Sequence, residues 1–261
     1  MAILMAHQVA GYPDDDTALV IADALIDGGA KILEVQLPFS DPSADGKIIQ
    51  NANAKVLERG YTTQNGLDFI EKVHNKHSDI QIFVMTYTSI IFRPGIENFV
   101  KRAVKSGVSG FIIGDLPFDC DEELGRICKK YNVFQIPVIA PSVTDERLSK
   151  VAHAGFSYIY SVLRAGITGQ ATTITTEMLK YIEKCAAGNA KILGGFGIRN
   201  GDQCKALAPY VHAVVAGSVF VEIISTYCEE KATQGTDSAL TKDVLYERIL
   251  AKSKELVSSA Q

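Results

Sequence analysis

Several absences in this 261-residue sequence exclude whole classes of protein. No apolar run reaches the ~18 residues that predict a membrane-spanning helix, and the first residues lack the basic flank and cleavage site of a signal peptide. Net charge is −4, and no block of like charges or basic stripe stands out. We therefore expect neither a membrane nor a nucleic acid as partner.

The cysteines are few and scattered, and no CxxC pair occurs among them. They number five: Cys120, Cys128, Cys185, Cys204 and Cys228. An odd count without paired spacing supports neither a zinc site nor a disulfide framework. This pattern predicts a protein of the reducing cytoplasm.

What the sequence does contain is a regular alternation of short apolar runs and longer amphipathic segments. The predicted strands are residues 3–9, 31–37, 80–86, 108–114, 133–139, 157–162, 190–194 and 213–216. The helical patterns between and after them cover 16–27, 48–58, 64–76, 95–106, 119–131, 144–154, 174–186, 200–207, 218–229 and 242–256. Each strand is thus followed by a helix, which indicates a parallel sheet.

Eight strand–helix units predict a (β/α)8 TIM barrel of the α/β class. The alternative is a doubly wound open sheet, but the G-x-G-x-x-G fingerprint after the first strand is missing. No composition break suggests a linker, so we expect one domain over residues 1–261, with 230–261 a polar connection and C-terminal helix. Chemistry on a barrel belongs at the C-terminal ends of the strands.

The second strand carries a glutamate within an apolar run, ILEVQL. Alternation along the strand places Glu34 and Gln36 on one face and Leu33, Val35 and Leu37 on the other. The aliphatic face is expected to pack outward, so Glu34 points into the barrel without a nearby lysine or arginine. Burial of an unpaired carboxylate raises its pKa, which suits a group that both donates and accepts a proton. A purely structural hydrogen-bonding role stays open.

The loop after this strand, DPSADG, adds two more acids. Asp45 directly precedes Gly46 and a predicted helix, so it is either a second site carboxylate or the N-cap of that helix. Asp41 stands beside Pro42 and is also typical of a turn. A strand acid and a loop acid at one barrel mouth can handle two parts of one substrate.

Glycine clusters follow the seventh and eighth strands, in ILGGFGIRN and VVAGSVFVE. These two loops are the usual phosphate position in barrels, and Gly217 and Ser218 open a helix whose free N–H groups can hold an anion. Tight turns alone are the alternative explanation. The loop 166–169 after the sixth strand is a candidate lid.

Two chemistries lack the residues that they need. A Schiff-base aldolase needs a lysine near a strand's C-terminal end, but Lys31 and Lys191 lie at strand beginnings. A metal-dependent aldolase needs clustered histidines, whereas the five histidines are dispersed and are interpreted as surface or packing residues: His7, His74, His77, His153 and His212. Metal-free acid–base chemistry on a phosphorylated small molecule remains.

The motifs resemble those of the tryptophan synthase alpha subunit family. The most specific segment is LEVQLPFSDPSADGKIIQ, residues 33–50. The others are GYP (11–13), MTY (85–87), GDLP (114–117), IAPSVTDERL (139–148), YIYSVLRAGITG (158–169), GGFGI (194–198) and AGS (216–218). They occur in the family's order across nearly the whole chain.

The resemblance implies a lyase that splits indole-3-glycerol phosphate into indole and glyceraldehyde 3-phosphate. Glu34 matches the catalytic glutamate, which protonates indole C3 and takes the proton from the substrate's hydroxyl. Asp45 matches the aspartate that holds the indole N–H, and Tyr160 matches a tyrosine close to the reacting carbons. The implied phosphate contacts are Gly169, Phe196, Gly197, Gly217 and Ser218.

The resemblance also implies a partner and no cofactor or metal in this chain. The partner is a pyridoxal-phosphate-dependent beta subunit, in an assembly of two alpha and two beta chains. We expect it to dock at the barrel mouth on loop 38–46, with Asp41 as the contact. Two other functions stay open: a regulatory phosphate-binding subunit with weak turnover, and a stand-alone phosphosugar lyase or isomerase.

The sequence departs from the family pattern in three places. Gln36 stands where the family usually has glycine, and its bulk is expected to narrow the indole pocket. Ser89 stands where asparagine is usual. The sequence also begins almost directly at the first strand, whereas the family usually has a preceding helix over the barrel's bottom.

Overall fold

The computed structural model describes residues 1–163, 173–234 and 240–261, and a curled parallel sheet lies at its centre. The strands are β1 (Ile3–Val9), β2 (Ile32–Gln36), β3 (Gln81–Thr86), β4 (Gly110–Ile113), β5 (Phe134–Gln135), β6 (Val138–Ile139), β7 (Tyr158–Val162), β8 (Lys191–Gly195) and β9 (Ala213–Ala216). Their order in the sheet is β5-β4-β3-β2-β1-β9-β8-β7-β6.

The two ends of this sheet meet within one short stretch of chain, residues 134–139. β5 pairs with β4, and β6 pairs with β7. Between them the Ile136 N–H donates to the Phe111 carbonyl at 2.9 Å, and the Tyr160 N–H donates to the Pro137 carbonyl at 2.9 Å. Residues 134–139 therefore act as one strand that bonds to β4 on one side and to β7 on the other. This closes the sheet, so the predicted (β/α)8 barrel is confirmed.

The helices surround this barrel. They are α1 (Asp15–Asp27), α2 (Lys47–Glu58), α3 (Thr63–Lys76), α4 (Thr88–Phe92), α5 (Ile96–Lys105), α6 (Leu124–Lys130), α7 (Asp145–His153), α8 (Thr176–Cys185), α9 (Gly201–Leu207), α10 (Ser218–Gln234) and α11 (Lys242–Ala260). In the described part of the chain, none of them is long and apolar enough to cross a bilayer.

Two elements differ from the sequence prediction. The helix expected from residue 119 begins only at Leu124, because Glu122 and Glu123 take the left-handed conformation, with φ of 50° and 70°. The Asp121 carboxylate there accepts the N–H groups of Glu123 and Gly125 and so holds a turn instead of a helix. The short helix α4 was not predicted.

The side chains of the sheet divide between two hydrophobic cores. On β2, Leu33 and Val35 pack outward with the helices, whereas Ile32 belongs to the cluster inside the barrel. Glu34 and Gln36 are buried on the inward face, as the alternation predicts. The barrel interior therefore presents polar groups among residues such as Phe83 and Met85.

The C-terminal helix α11 packs against α1 without room to spare. The Ser253 hydroxyl, fully buried, donates to the Leu25 carbonyl at 3.1 Å. A Cβ added at Gly28 would come within 2.3 Å of the Ser253 Cβ. At the start of β1, the Ala2 N–H donates to the Ala260 carbonyl, so the end of α11 lies beside the first strand.

Candidate functional site

A cavity opens at the C-terminal ends of the strands, the place where barrel chemistry is expected. It encloses about 680 Å³, including its open mouth, which is the size of a small-molecule site. Seven predicted site residues line it: Glu34, Asp45, Tyr160, Phe196, Gly197, Gly217 and Ser218. The eighth, Gly169, and the rest of the lid candidate 166–169 lie outside the described residues.

Glu34 has a partner, contrary to the expectation of an unpaired carboxylate. Its Oε2 lies 3.3 Å from Nδ1 of His7, and the side chains of Glu34 and His7 are 4% and 6% exposed. The two residues face each other in the register of β1 and β2. His7, interpreted from the sequence as a surface or packing residue and not a metal ligand, is buried and lines the cavity, because alternation on β1 turns it inward.

The charges around His7 change its proton affinity. Burial lowers the pKa of an imidazole, but the hydrogen bond and negative charge of Glu34 act in the opposite direction, and Asp45 adds to them. The outcome is a His7 pKa above its ordinary value. A buried group whose protonated form is held by a carboxylate is therefore available at the cavity wall.

Asp45 does not cap the helix that follows it. The N-cap of α2 is Gly46, and no side chain bonds to that cap. The Asp45 Oδ2 instead accepts two hydrogen bonds of 2.8 Å, from Gln36 Nε2 and from the Tyr87 hydroxyl. This geometry leaves the N-cap alternative without support.

Burial also changes the proton affinity of Asp45. Desolvation, with a smaller contribution from Glu34, raises the pKa of the Asp45 carboxyl, although the hydrogen bonds and His7 oppose the shift. Tyr87 keeps its proton, because burial and the neighbouring Asp45 raise the pKa of its phenol. Tyr87 thus acts as a hydrogen-bond donor to the carboxylate.

The loop that carries Asp45 is fixed by its own side chains and by α2. The buried Asn53 accepts the Phe39 N–H at 3.0 Å, and the Phe39 ring stacks on Tyr87 with a centroid distance of 5.0 Å. Gln50 Nε2 donates to the Asp45 carbonyl at 2.8 Å. The loop backbone around Asp45 is therefore held by side chains of α2.

The two unusual residues have different surroundings. Gln36 is fully buried, bonds to Asp45 and is not among the residues that line the cavity. Ser89 is exposed on α4, away from the lining. Position 36 thus supplies a donor for the site acid.

The opposite side of the cavity is built from backbone. Phe196 and Gly197 have φ values of 115° and 78°, which turn the chain sharply after β8. Ser218 is buried at the first turn of α10, where the leading N–H groups have no partner within the helix. Within the described lining there is no lysine or arginine, and N–H groups at a helix start can bind an anion.

Tyr160 stands between the two sides of the cavity. A Cβ added at Gly195 would lie 3.1 Å from the Tyr160 hydroxyl, so only glycine fits beside it. Burial, then the charges of Glu34 and Asp45, raise the pKa of this phenol well above its ordinary value. Tyr160 is thus a neutral donor next to both acids.

Over residues 1–163, 173–234 and 240–261, no group of three or more His, Cys, Asp or Glu side chains is placed to hold a metal ion. The cavity combines two carboxyls and an imidazole with the backbone turn after β8 and the start of α10. This arrangement can move protons on a molecule that carries an anionic group at its far end.

Comparison with known proteins gives a consistent result. Residues 2–249 match the family model described as tryptophan synthase alpha chain. A protein of that name from Helicobacter hepaticus is 39% identical over 85% of this chain and 85% of its own length, and one from Methanosarcina barkeri is 34% identical over 98% and 90%. A solved Mycobacterium tuberculosis tryptophan synthase chain is 26% identical with a TM-score of 0.84, covering 99% of this chain and 92% of that one.

The hydrogen bond from Gln36 to Asp45 generates the first prediction. Substitution of Gln36→Met keeps a similar volume but removes the donor, and that donor lowers the pKa of Asp45. We expect the Asp45 carboxyl to titrate at higher pH in the variant, as measured by carbon-13 NMR of its side chain. Gln8→Met is the matched control, since buried Gln8 donates to the Ala18 carbonyl instead; an equal shift in both variants would contradict the assignment.

Proposed function

Because the chain belongs to the tryptophan synthase alpha chain family, we propose that Glu34 and Asp45 are the two catalytic groups of its reaction. The protein is a carbon–carbon lyase that cleaves indole-3-glycerol phosphate into indole and glyceraldehyde 3-phosphate in tryptophan biosynthesis. The observation that carries the residue assignment is the convergence of both buried carboxyls on one cavity at the strand ends.

Glu34 is proposed as the acid and base of the retro-aldol step. Its protonated form gives a proton to indole C3, and the resulting carboxylate then takes the proton of the hydroxyl on the adjoining side-chain carbon. The bond between that carbon and C3 breaks, the hydroxyl becomes the aldehyde, and the ring recovers its aromaticity. Protons balance over the cycle, so one group at one position serves both transfers.

Asp45 is proposed to hold the indole N–H while positive charge develops on the ring. This role needs a carboxylate whose orientation is fixed, and the donors Gln36 and Tyr87 fix it. The cavity wall also includes Met85, Ile112 and Val138, which suit the flat apolar ring. Tyr160, next to both acids, is proposed to lie close to the reacting carbons.

The phosphate is proposed to bind on the backbone side of the cavity. Phe196, Gly197, Gly217 and Ser218 line this side, and Gly169 is proposed as a further contact by resemblance alone. The support is the left-handed turn after β8 and the helix that begins at Ser218. Neutral N–H donors at a helix start bind phosphate without a cationic side chain.

A beta subunit is the proposed partner, in an assembly of two alpha and two beta chains, and the pyridoxal phosphate is proposed to reside in that subunit. Indole is uncharged and apolar, so direct transfer to a second active site prevents its loss through membranes. Loop 38–46 is the proposed docking surface, because its exposed Asp41 is four residues from the buried Asp45. The Ser40 hydroxyl donates to Asp41 Oδ2 at 2.6 Å, which presents this carboxylate at the surface.

The proposed location is the cytoplasm. The five cysteines all lie in the described residues as free thiols, and Cys120 is exposed. Proteins of oxidising compartments more often pair such thiols.

The role of Glu34 is tested by Glu34→Gln, which keeps the shape but cannot exchange a proton. We expect indole release to fall ~10²–10⁴-fold while calorimetry shows unchanged binding of glycerol 3-phosphate. Glu97→Gln serves as control, because Glu97 bonds to Lys130 and Tyr131 outside the cavity. A Glu34→Gln enzyme with more than a third of wild-type turnover would show that Glu34 is structural.

The phosphate site is tested by Gly197→Ala. Alanine disfavours the φ of 78° at this position, so the turn moves and its N–H groups no longer converge. We expect the Kd for glycerol 3-phosphate to rise about tenfold, equivalent to ~1.4 kcal/mol. Gly155→Ala imposes the same strain at φ 81° with no atom within 4 Å of the new Cβ; equal Kd values for the two variants would remove the phosphate from this loop.

The partner is tested by titrating cognate beta subunit into the wild-type chain and following indole release. We expect the rate to rise, because contact with loop 38–46 increases the population in which Asp45 is correctly placed. Asp41→Ala should need more beta subunit for the same rise, whereas Asp79→Ala, an exposed acid before β3, should not.

The outcomes of this titration separate three ideas. No indole with or without beta subunit would overturn the lyase activity. A wild-type rate that does not respond to beta subunit would overturn the coupling, and an Asp41→Ala response like that of wild type would overturn only the role of Asp41.

A further inference from the structure

His7 is a buried titratable group to which the proposed reaction assigns no task. Its side chain lines the cavity, and within the described residues its Nε2 has no hydrogen-bond partner. An unpartnered buried polar atom costs free energy unless a ligand or water satisfies it. Its position at the substrate cavity points to a function beyond packing.

The backbone fixes the His7 ring between Glu34 and the phosphate side. In the sheet register His7 lies directly beside Glu34, and Nδ1 is 3.3 Å from the Glu34 Oε2. On its other side the His7 side chain approaches Gly217 closely: a Cβ added at Gly217 would lie 3.1–3.3 Å from Cβ, Cγ and Cδ2 of His7. One nitrogen therefore faces the carboxylate, and the other has no hydrogen-bond partner among the described residues.

The groups around His7 and Glu34 favour a state in which the pair holds one proton. Glu34 on β2, Asp45 on the loop after β2 and Tyr160 on β7 are the titratable side chains that face His7 from the cavity lining. Within the described lining, none is a lysine or arginine. A lone buried charge on either partner is costly, whereas one proton shared by the two gives either an ion pair or two neutral groups.

We infer that His7 and Glu34 form one acid–base unit that shares a proton during the cleavage reaction. The inference rests on the proposed catalytic role of Glu34 and adds His7 as its proton reservoir. His7 is a positioning residue that acts on Glu34 through Nδ1.

The proton follows a closed path through this unit. At rest it is on the imidazole and Glu34 is a carboxylate; it passes from Nδ1 to Oε2 and then to indole C3. The neutral imidazole now faces a carboxylate again, which takes the proton of the substrate hydroxyl as the carbon–carbon bond breaks. That proton returns to Nδ1 when the products leave, so no outside acid, base or oxidant is needed.

A shared proton has a consequence for the pH dependence. The unit is active while it holds one proton, and that proton has an apparent pKa that belongs to the pair. Because Glu34 favours the imidazolium, the proton is lost at a pH above the ordinary histidine pKa of about 6.5. Without the imidazole the unit has no second group that can hold the proton. Removal of His7 should therefore move the alkaline limb of kcat away from its wild-type position.

The experiment compares pH profiles of kcat for wild type, His7→Phe and His7→Asn, with indole release as readout. Phenylalanine keeps the ring, and asparagine keeps a donor near Nδ1 but cannot titrate. We expect kcat at pH 7 to fall toward the ~10²-fold loss of one acid–base group, and the alkaline limb to leave its wild-type position in both variants. His77→Asn is the control, because His77 pairs with Asp23 at 2.7 Å outside the cavity.

A merely structural His7 gives a different result. His7→Phe or His7→Asn would then keep the wild-type alkaline limb even if kcat fell, and this outcome overturns the inference. Recovery of the full wild-type profile by His7→Asn would also overturn it, because a donor alone would then be enough. If wild type itself released no indole, the proposed function would fail instead.

A second measurement does not depend on turnover. The His7 imidazole is titrated by NMR in wild type and in Glu34→Gln, with His77 as internal reference. We expect the His7 pKa to fall in the variant, because the negative charge that holds its proton is gone, while His77 does not change. An unchanged His7 titration would show that the two groups do not share a proton.

Discussion

The site depends on one constraint: two carboxyl groups are buried in a barrel whose described cavity lining holds no lysine or arginine. Each carboxyl must find donors, or its burial would cost several kcal/mol. Asp45 takes the Gln36 amide and the Tyr87 hydroxyl, and Glu34 takes the imidazole of His7. The two carboxyls can therefore be buried only because these neighbours bind them.

The same donors leave the two acids with different properties. Asp45 is bound by groups that do not exchange protons near neutral pH, since burial and the nearby carboxylate keep Tyr87 protonated. It is thus suited to a fixed electrostatic contact. Glu34 is next to a group that does exchange protons in that range. Asp45 is suited to contact and Glu34 to acid–base chemistry because their neighbours differ, although both groups are carboxyls.

Much of this architecture could be predicted from periodicity, because alternation and strand–helix order are local properties. The inward face of Glu34, the outward face of Leu33 and the eight strands followed from spacing alone. The His7–Glu34 pair could not be predicted in this way. It depends on the register between β1 and β2, and the sequence of neither strand indicates that register. Because side chains alternate along β1, His7 lies on the same face as Met5. Only the register shows that its neighbour on β2 is Glu34.

Loop conformation was the other limit. Asp45 before Gly46 reads equally well as a helix cap or a site acid, and the choice depends on Asn53, Gln50 and Tyr87, which lie 5 to 42 residues further along the chain. For the same reason the family glycine at position 36 suggested an obstruction, whereas the glutamine bonds to Asp45. Such contacts join residues that are distant in sequence, so a local pattern cannot contain them.

The described lining of the cavity holds no lysine or arginine near the turn at Gly197 and the start of α10, where the phosphate is proposed to lie. A lysine there would be drawn to the two carboxyls as well as to the phosphate, and it would lower the pKa of any acid it reached. Backbone N–H groups bind an anion but have too short a reach to do this. His7 lies between the two sides, against Gly217 and beside Glu34. A mobile positive charge at that point can follow the proton through the reaction, whereas a permanent one would hold Glu34 in a single state and prevent it from serving as both acid and base.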